Sequence, residues 1–279
     1  MRIGVITDLH FGREASYQGK LRKLGRLAPE AARRFVEAMN RDLRPDLVFH
    51  LGDMVQDMTL EEDKVHAAQC LEILAGLDAP IYHVVGNHDL IKLTPEDVIG
   101  LWTRHTPHMA ALVSPEEPRL HYHLKLPGWD FLALHTREQT DHYIWMDEPQ
   151  LAWLEQTLAA CANPVVVWMH HSAADQDTAG NWWFAKHPHL ALVRERARLR
   201  GLLEASGKVR AVINGHLHWN RCDWHGGIPY MTVTSPIENF DNADPPAPTW
   251  AWGELVLQPD GGSLRVVGRD PAAWSWGLV

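Results

Sequence analysis

The ten residues IYHVVGNHDL (81–90) join an apolar, partly β-branched run, Ile81 to Val85, to a glycine and three polar side chains, Asn87, His88 and Asp89. The run reads as a buried strand and Gly86 as the residue that ends it. Taken alone, such a stretch is an ordinary turn. The same arrangement recurs along the chain, however. "RIGVIT" (2–7) leads into Asp8-Leu9-His10, "DLVFHL" (46–51) into Gly52-Asp53, "VVVWMH" (165–170) ends in His170 beside His171, and "VRAVIN" (209–214) leads into Gly215-His216-Leu217-His218. With "FLALH" (131–135), these runs are separated by helical patterns, which predicts an α/β fold. In open α/β sheets the carboxyl ends of the strands border the ligand crevice, so polar clusters distant in sequence are expected to meet there.

The helical patterns have structural jobs. Ala31, Phe35, Met39 and Leu43 form an i, i+4 stripe between charged faces. Thr59-x-x-Glu62 reads as a capping box that opens a helix running to about Gly76. Asp147 reads as the cap of "DEPQLAWLEQTLAA" (147–160), and 188–206 is the longest helical pattern. "LHYHLKL" (120–126) and "WDFLAL" (129–134), joined by Pro127-Gly128, read as a hairpin, as does 250–268, turning at Asp260-Gly261-Gly262. Two packed sheets rather than one are therefore predicted. The expectation is a single domain over 1–279, its motif-bearing core at about 1–235, with the 250–268 strands completing the second sheet.

The 279 residues are 46% hydrophobic and 22% charged, as in a soluble globular protein, and the net charge is −9. An acidic balance argues against long nucleic acid or a membrane surface as partner, because both are bound through basic faces. Cys70, Cys161 and Cys222 make no CxxC pair, and Met1 leads straight into a strand-like run with no leader pattern. A cytoplasmic protein with reduced thiols is expected.

Eighteen histidines are more unusual. Asp8 and His10 lie two apart, which in extended chain turns both side chains the same way, and His216 and His218 repeat that spacing. Carboxylate oxygen with imidazole nitrogen, and no cysteine among the clusters, suits zinc, iron, manganese or cobalt rather than a structural zinc knuckle.

Taken in order, Asp8-x-His10, Gly52-Asp53, Gly86-Asn87-His88-Asp89, His170 and Gly215-His216-x-His218 resemble the calcineurin-like metallophosphoesterases, most of all the bacterial cyclic-nucleotide phosphodiesterase-like branch. The resemblance spans roughly residues 1 to 235. It implies two stacked mixed β-sheets flanked by helices, an αββα sandwich, with two divalent or trivalent metal ions at the strand ends, manganese, iron or zinc. By position, Asp8, His10 and His218 hold one ion, Asn87, His170 and His216 hold the other, and Asp53 bridges them. His88 is then the catalytic histidine, oriented by Asp89. The implied reaction is hydrolysis of a small soluble phosphodiester, a cyclic nucleotide being one candidate, by a metal-bridging hydroxide. A phosphomonoesterase or a nucleotide pyrophosphatase on the same centre is the alternative, a non-catalytic scaffold is a remote one, and a homo-oligomer is left open.

The chain departs from the family pattern in places. His170-His171 is followed by Ser172-Ala173 where relatives carry two prolines, and His135-Thr136 stands where an aspartate-serine pair is common. His135 reads as structural, and Asp57 as a turn or helix-capping acid. Within the polar insertion 11–26, Arg13, Lys20, Arg22 and Lys23 read as solvated cations, with phosphate contact as the other reading. Trp182 and Trp183 are equally suited to stack on a substrate or to cover the helix that follows.

Overall fold

The computed structural model describes residues 1–138 and 142–277. Sixteen strands and six α-helices occupy the described residues. β1 (Arg2–Ile6) is followed by the hairpin β2 (Ala15–Tyr17) and β3 (Lys20–Lys23), α1 (Ala28–Ala38), β4 (Leu47–His50), α2 (Leu60–Leu74) and β5 (Ile81–His83). Next come α3 (Asp89–Lys92), α4 (Pro95–His105), β6 (Tyr122–Leu126), β7 (Trp129–Ala133), the short pair β8 (Arg137–Glu138) and β9 (Ile144–Trp145), and α5 (Glu148–Ala160). The chain continues through β10 (Val165–Trp168), α6 (Arg196–Ala205), β11 (Val209–Asn214), β12 (Arg221–His225) and β13 (Ile228–Thr232). It ends with β14 (Trp252–Gln258), β15 (Gly261–Val267) and β16 (Ala272–Gly277).

Two six-stranded mixed sheets result, in the orders β16-β15-β14-β1-β4-β5 and β12-β13-β11-β10-β7-β6. The period of two along β10 explains how they stack. Val166 and Trp168 point into the larger core, which they share with Phe49 of β4 and Phe131 of β7. Val165 and Val167 point the other way, into a second core with Leu151, Leu154 and Leu158 of α5 and Leu199 and Leu203 of α6. The rings of Phe49 and Trp168 stack across the sheet interface at 4.1 Å between centroids, a contact worth about 0.5–1.5 kcal/mol beyond its buried area.

Local chemistry sets the boundaries. Thr59 caps α2 by accepting from Glu62 N, and Asp147 caps α5 by accepting from Gln150 N. Three features differ from the sequence expectation. The 250–268 hairpin does not complete the second sheet: β14 runs antiparallel to β1, so it extends the sheet of β1, β4 and β5, with β16 added at the edge. The 188–206 pattern yields a helix only over Arg196–Ala205, because Pro188–Leu190 forms a single 3-10 turn first. Thr94-Pro95-Glu96-Asp97, outside the expected helices, is a complete capping box that starts α4.

Candidate metal centre

Each predicted ligand stands where a strand of one sheet or the other gives out. Asp8 and His10 follow β1, Asp53 follows β4, Asn87 follows β5, His170 follows β10, and His216 and His218 follow β11. Five of these seven have left-handed backbones: Asp8 (φ 54°), His10 (46°), Asp53 (55°), His216 (66°) and His218 (52°). Non-glycine residues adopt that region at a cost, and a run of them at strand ends marks a site where side-chain aim outweighs backbone comfort. The motif glycines have a different task. A Cβ on Gly86 would collide with the Asp53 carboxylate and amide, and one on Gly215 with Thr7 Oγ1 and the Asp8 carboxylate. Only glycine lets these loops approach so closely.

The side chains converge as two groups that meet. Asp8 Oδ1 lies 3.2 Å from His218 Nε2, and His218 Nε2 lies 3.2 Å from His10 Nε2. Asp53 Oδ2 lies 3.5 Å from His10 Nε2 on one side and 3.3 Å from His170 Nε2 on the other. Asp53 therefore stands between the groups. His216 and His170 pack ring against ring at 5.0 Å between centroids, and His171 joins them at 4.2 Å from His216. Asp53, Asn87, His88, His216 and His218 line one cavity of about 240 Å³.

The donor set fits metal ions. His170 Nε2 and Asn87 Oδ1 are buried without a hydrogen-bond partner, although buried polar atoms are nearly always paired. The opposite ring nitrogens are engaged by protein groups: His170 Nδ1 with Leu51 O at 2.8 Å, His216 Nε2 with Leu190 O at 2.9 Å, and His218 Nδ1 with Glu238 Oε2 at 2.7 Å. Partners of this kind fix the tautomer and aim the remaining nitrogen at an ion. Asn87 donates from Nδ2 to Glu138 Oε2 at 2.8 Å, which leaves its oxygen to coordinate.

The electrostatics agree with this reading. Burial pushes the Asp8 carboxyl up, but His218 and His170 outweigh it and bring it down to about 2. Asp53 is likewise held well below the carboxylate range by His170 and His88 against its own burial. Burial lowers His216 to about 3 and His10 well below the usual imidazole value, so both rings are neutral. Ionised carboxylates and neutral imidazoles are the ligating forms, whereas Asp53 raises His170 to about 9 and Asp8 raises His218 despite their burial, so those two rings must give up a proton to ligate.

His88 is where the structure corrects the sequence. Asp89 does not orient it. The Asp89 carboxylate is buried and accepts from the backbone N–H groups of Asp53 (3.0 Å), Met54 (2.8 Å) and Gly86 (2.9 Å), so it braces the two loops that carry Asp53 and Asn87. Asp57 stands at the His88 ring instead, with Oδ2 2.5 Å from Nδ1 but not aligned as a hydrogen bond. Left-handed φ at Asp57 (57°) turns its side chain toward the site, which the capping reading missed.

Residues assigned to solvent also move inward. Lys20 and Arg13 are exposed, but Arg22 and Lys23 are buried. Lys23 Nζ lies 3.3 Å from His88 Nε2, and Arg22 pairs with Glu238 at 2.5 Å. Glu238 had no motif to reveal it, yet it holds His218, Arg22 and the Trp183 indole N–H together. Trp183 packs on Tyr17 at 5.2 Å and lines the cavity, whereas Trp182 is 44% exposed and donates to Phe240 O. His135 is buried with Nε2 unpartnered, beside a separate cleft of about 560 Å³ that also borders Asn87.

A family model described as calcineurin-like phosphoesterase matches residues 1–220. A probable cyclic nucleotide phosphodiesterase of Psychrobacter sp. (strain PRwf-1) is 25% identical over 230 residues, 78% of this chain and 62% of that protein. The chain thus spans less than two thirds of that relative's length. A 3′,5′-cyclic adenosine monophosphate phosphodiesterase of Vibrio vulnificus (strain CMCP6) is 23% identical over 274 residues, 92% of this chain and 85% of that one. A crystal structure of a dimetal phosphatase from Danio rerio superposes with a TM-score of 0.75 at 16% identity, covering 100% of this chain and 99% of that chain, a likeness of fold. Among the described residues no helix is long and apolar enough to cross a membrane.

Proposed function

The chain belongs to the calcineurin-like phosphoesterase family, and from that premise we propose that it hydrolyses small phosphodiesters with two bound metal ions, cyclic nucleotides being one candidate substrate. The observation that carries this reading is the position of Asp53 between two His/Asp groups, with His88 at the edge of the same cavity. Asp8, His10 and His218 would hold one ion, Asn87, His170 and His216 the other, and Asp53 both. Manganese, iron and zinc all suit these oxygen and nitrogen donors. When bound, the ions supply Lewis-acid polarisation of the phosphoryl group and lower the pKa of water for in-line attack.

The chain's own groups do the rest. His88 protonates the oxygen that leaves phosphorus, or stabilises its charge, a contribution of about 10² to 10⁴ in rate for a positioned acid. Asp57 stands on the Nδ1 side of the ring, which leaves Nε2, beside Lys23 Nζ, as the nitrogen presented to the substrate. Asp89 keeps the loops of Asp53 and Asn87 in register through the backbone. The names of the curated relatives support a diester over a monoester.

Metal removal and reconstitution with manganese, iron or zinc tests the reading, with bis-p-nitrophenyl phosphate, p-nitrophenyl phosphate and a nucleotide pyrophosphate as substrates. Diester turnover that returns with metal supports it. Faster cleavage of the monoester or the pyrophosphate by the same centre would replace the diester assignment.

A further inference from the structure

The site contains a cation that neither the family pattern nor the ligand set requires. Lys23 is 7% exposed, and its ammonium has no carboxylate within 4.0 Å among the described residues. Its neighbour Glu238 is engaged by Arg22, His218 and Trp183. Burying an ammonium without a close counter-ion is costly, so a chain selected for stability alone would place an apolar side chain here. Nearest to Nζ are His88 Nε2 at 3.3 Å and the face of Trp183 at 5.2 Å from the ring centroid, while the charges of Asp53, Asp8, Glu238 and Asp57 act on it from farther out. A tryptophan face attracts the ammonium without neutralising it.

The backbone fixes where this charge sits. Asn239 N donates to Arg22 O at 2.7 Å and Leu24 N to Ile237 O at 3.0 Å, which ties the end of the β2–β3 hairpin to the segment of Glu238. Glu238 in turn holds His218. Lys23 is thus in register with a metal-ligand residue, and it lines the cavity beside Asp53, Asn87, His88, His216 and His218. An ammonium has three N–H donors, and with His88 Nε2 carrying the proton it gives to the leaving oxygen, the 3.3 Å approach is proximity and the donors are available to an anion in the cavity.

We propose that Lys23 is a substrate-contact residue whose Nζ donates to a non-bridging oxygen of the phosphoryl group held next to His88. This rests on the phosphoesterase reading. It adds that the anion is read by a cation of the chain as well as by the ions, and that this contact acts on binding rather than on departure of the leaving group.

The test uses the full-length, manganese-loaded protein and two variants, Lys23→Met and Lys23→Arg. For Lys23→Met, kcat/KM on bis-p-nitrophenyl phosphate and the inhibition constant of inorganic phosphate should both weaken by about 10- to 100-fold, the size of a charge-assisted hydrogen bond. The loss should be the same for nitrophenyl and for poorer phenyl leaving groups, with metal content unchanged and Tm no lower than that of the parent protein. Lys23→Arg should keep most of the phosphate inhibition, because it keeps the charge. Unchanged phosphate inhibition in Lys23→Met would overturn the proposal, and so would a loss that grows as the leaving group worsens, which would make Lys23 a proton donor. If the parent protein cleaved no ester, the phosphoesterase reading would fail by itself, while competition of phosphate for the manganese-loaded site would still report on Lys23.

Discussion

Asp57 Oδ2 lies 2.5 Å from Nδ1 of His88, while Lys23 Nζ lies 3.3 Å from Nε2 of the same ring. The imidazole is therefore held between an acid and a cation, and its two nitrogens have separate tasks. The Asp57 carboxylate occupies the Nδ1 side of the ring, so Nε2 is the nitrogen left on the side of Lys23 and the cavity. Asp57→Asn should lower kcat by about 10- to 100-fold, a part of the full acid–base contribution, with both metal equivalents retained. Steady-state kinetics with metal analysis checks this. A normal kcat in Asp57→Asn would return the orienting role to some other group.

Removing the imidazole is the stronger version. His88→Ala should keep the ions, since the proposed ligands Asp8, His10, His218, Asn87, His170, His216 and Asp53 are all untouched, and should lose about 10² to 10⁴ in turnover. Elemental analysis of purified protein decides the division of roles. A variant with one ion fewer would place His88 among the ligands, where its proximity to His10 and Asp53 makes it a geometric candidate.

Asp89→Asn should behave differently from Asp57→Asn. Its carboxylate accepts backbone N–H bonds on both oxygens, and the amide offers only one oxygen, so at least one buried N–H loses its acceptor. Burial, with the nearby charge of Asp53, raises the Asp89 pKa to about 7, so the loss is one of hydrogen bonding more than of charge. Denaturant unfolding should show a destabilisation of about 1–3 kcal/mol. A kinetic defect without a stability defect would contradict the bracing role.

Much of the centre was legible because its motif residues follow from local constraints. A glycine that admits a close approach, a short polar side chain and the end of an apolar run all lie within a few positions, as at Gly86-Asn87-His88. Asp57 was not legible, because only the left-handed turn at that residue aims its carboxylate at His88. Arg22, Lys23 and Glu238 were hidden for another reason. Charged residues in a polar stretch read as solvated, and only contacts more than 200 residues apart, such as Arg22 with Glu238 and Asn239 with Arg22, bury them. The 250–268 hairpin was visible from its turn, but its docking beside Arg2–Ile6 is a pairing between the chain's two ends that no local pattern encodes.

Glu238 gives a prediction of its own. Glu238→Ala leaves the Arg22 guanidinium buried without its partner and removes the acceptor at His218 Nδ1. Stripping one member of a buried ion pair costs about 3–5 kcal/mol. Loss of a group that orients a ligand histidine lowers metal affinity about 10- to 100-fold. Thermal melts and metal titration should show both effects together. A variant as stable as the parent protein would mean that water replaces the carboxylate at Arg22.

Metal removal itself should be coupled to protons and to stability. Asp53 and Asp8 raise His170 to about 9 despite its burial, so in the absence of an ion this ring carries a proton at neutral pH. An ion that ligates through Nε2 must displace that proton, so loading the apo-protein at pH 7 should release protons, and apparent affinity should rise with pH up to about 9. The sign for the apo-protein is the reverse: a raised histidine pKa contributes stability that is fully present below the unfolded value near 6.5 and is lost as pH climbs through about 9. Chelation should therefore lower Tm, and lower it further at pH 9 than at pH 7. Calorimetric titration in buffers of different ionisation enthalpy measures the proton count, and metal binding with no proton release would remove His170 from the ligand set.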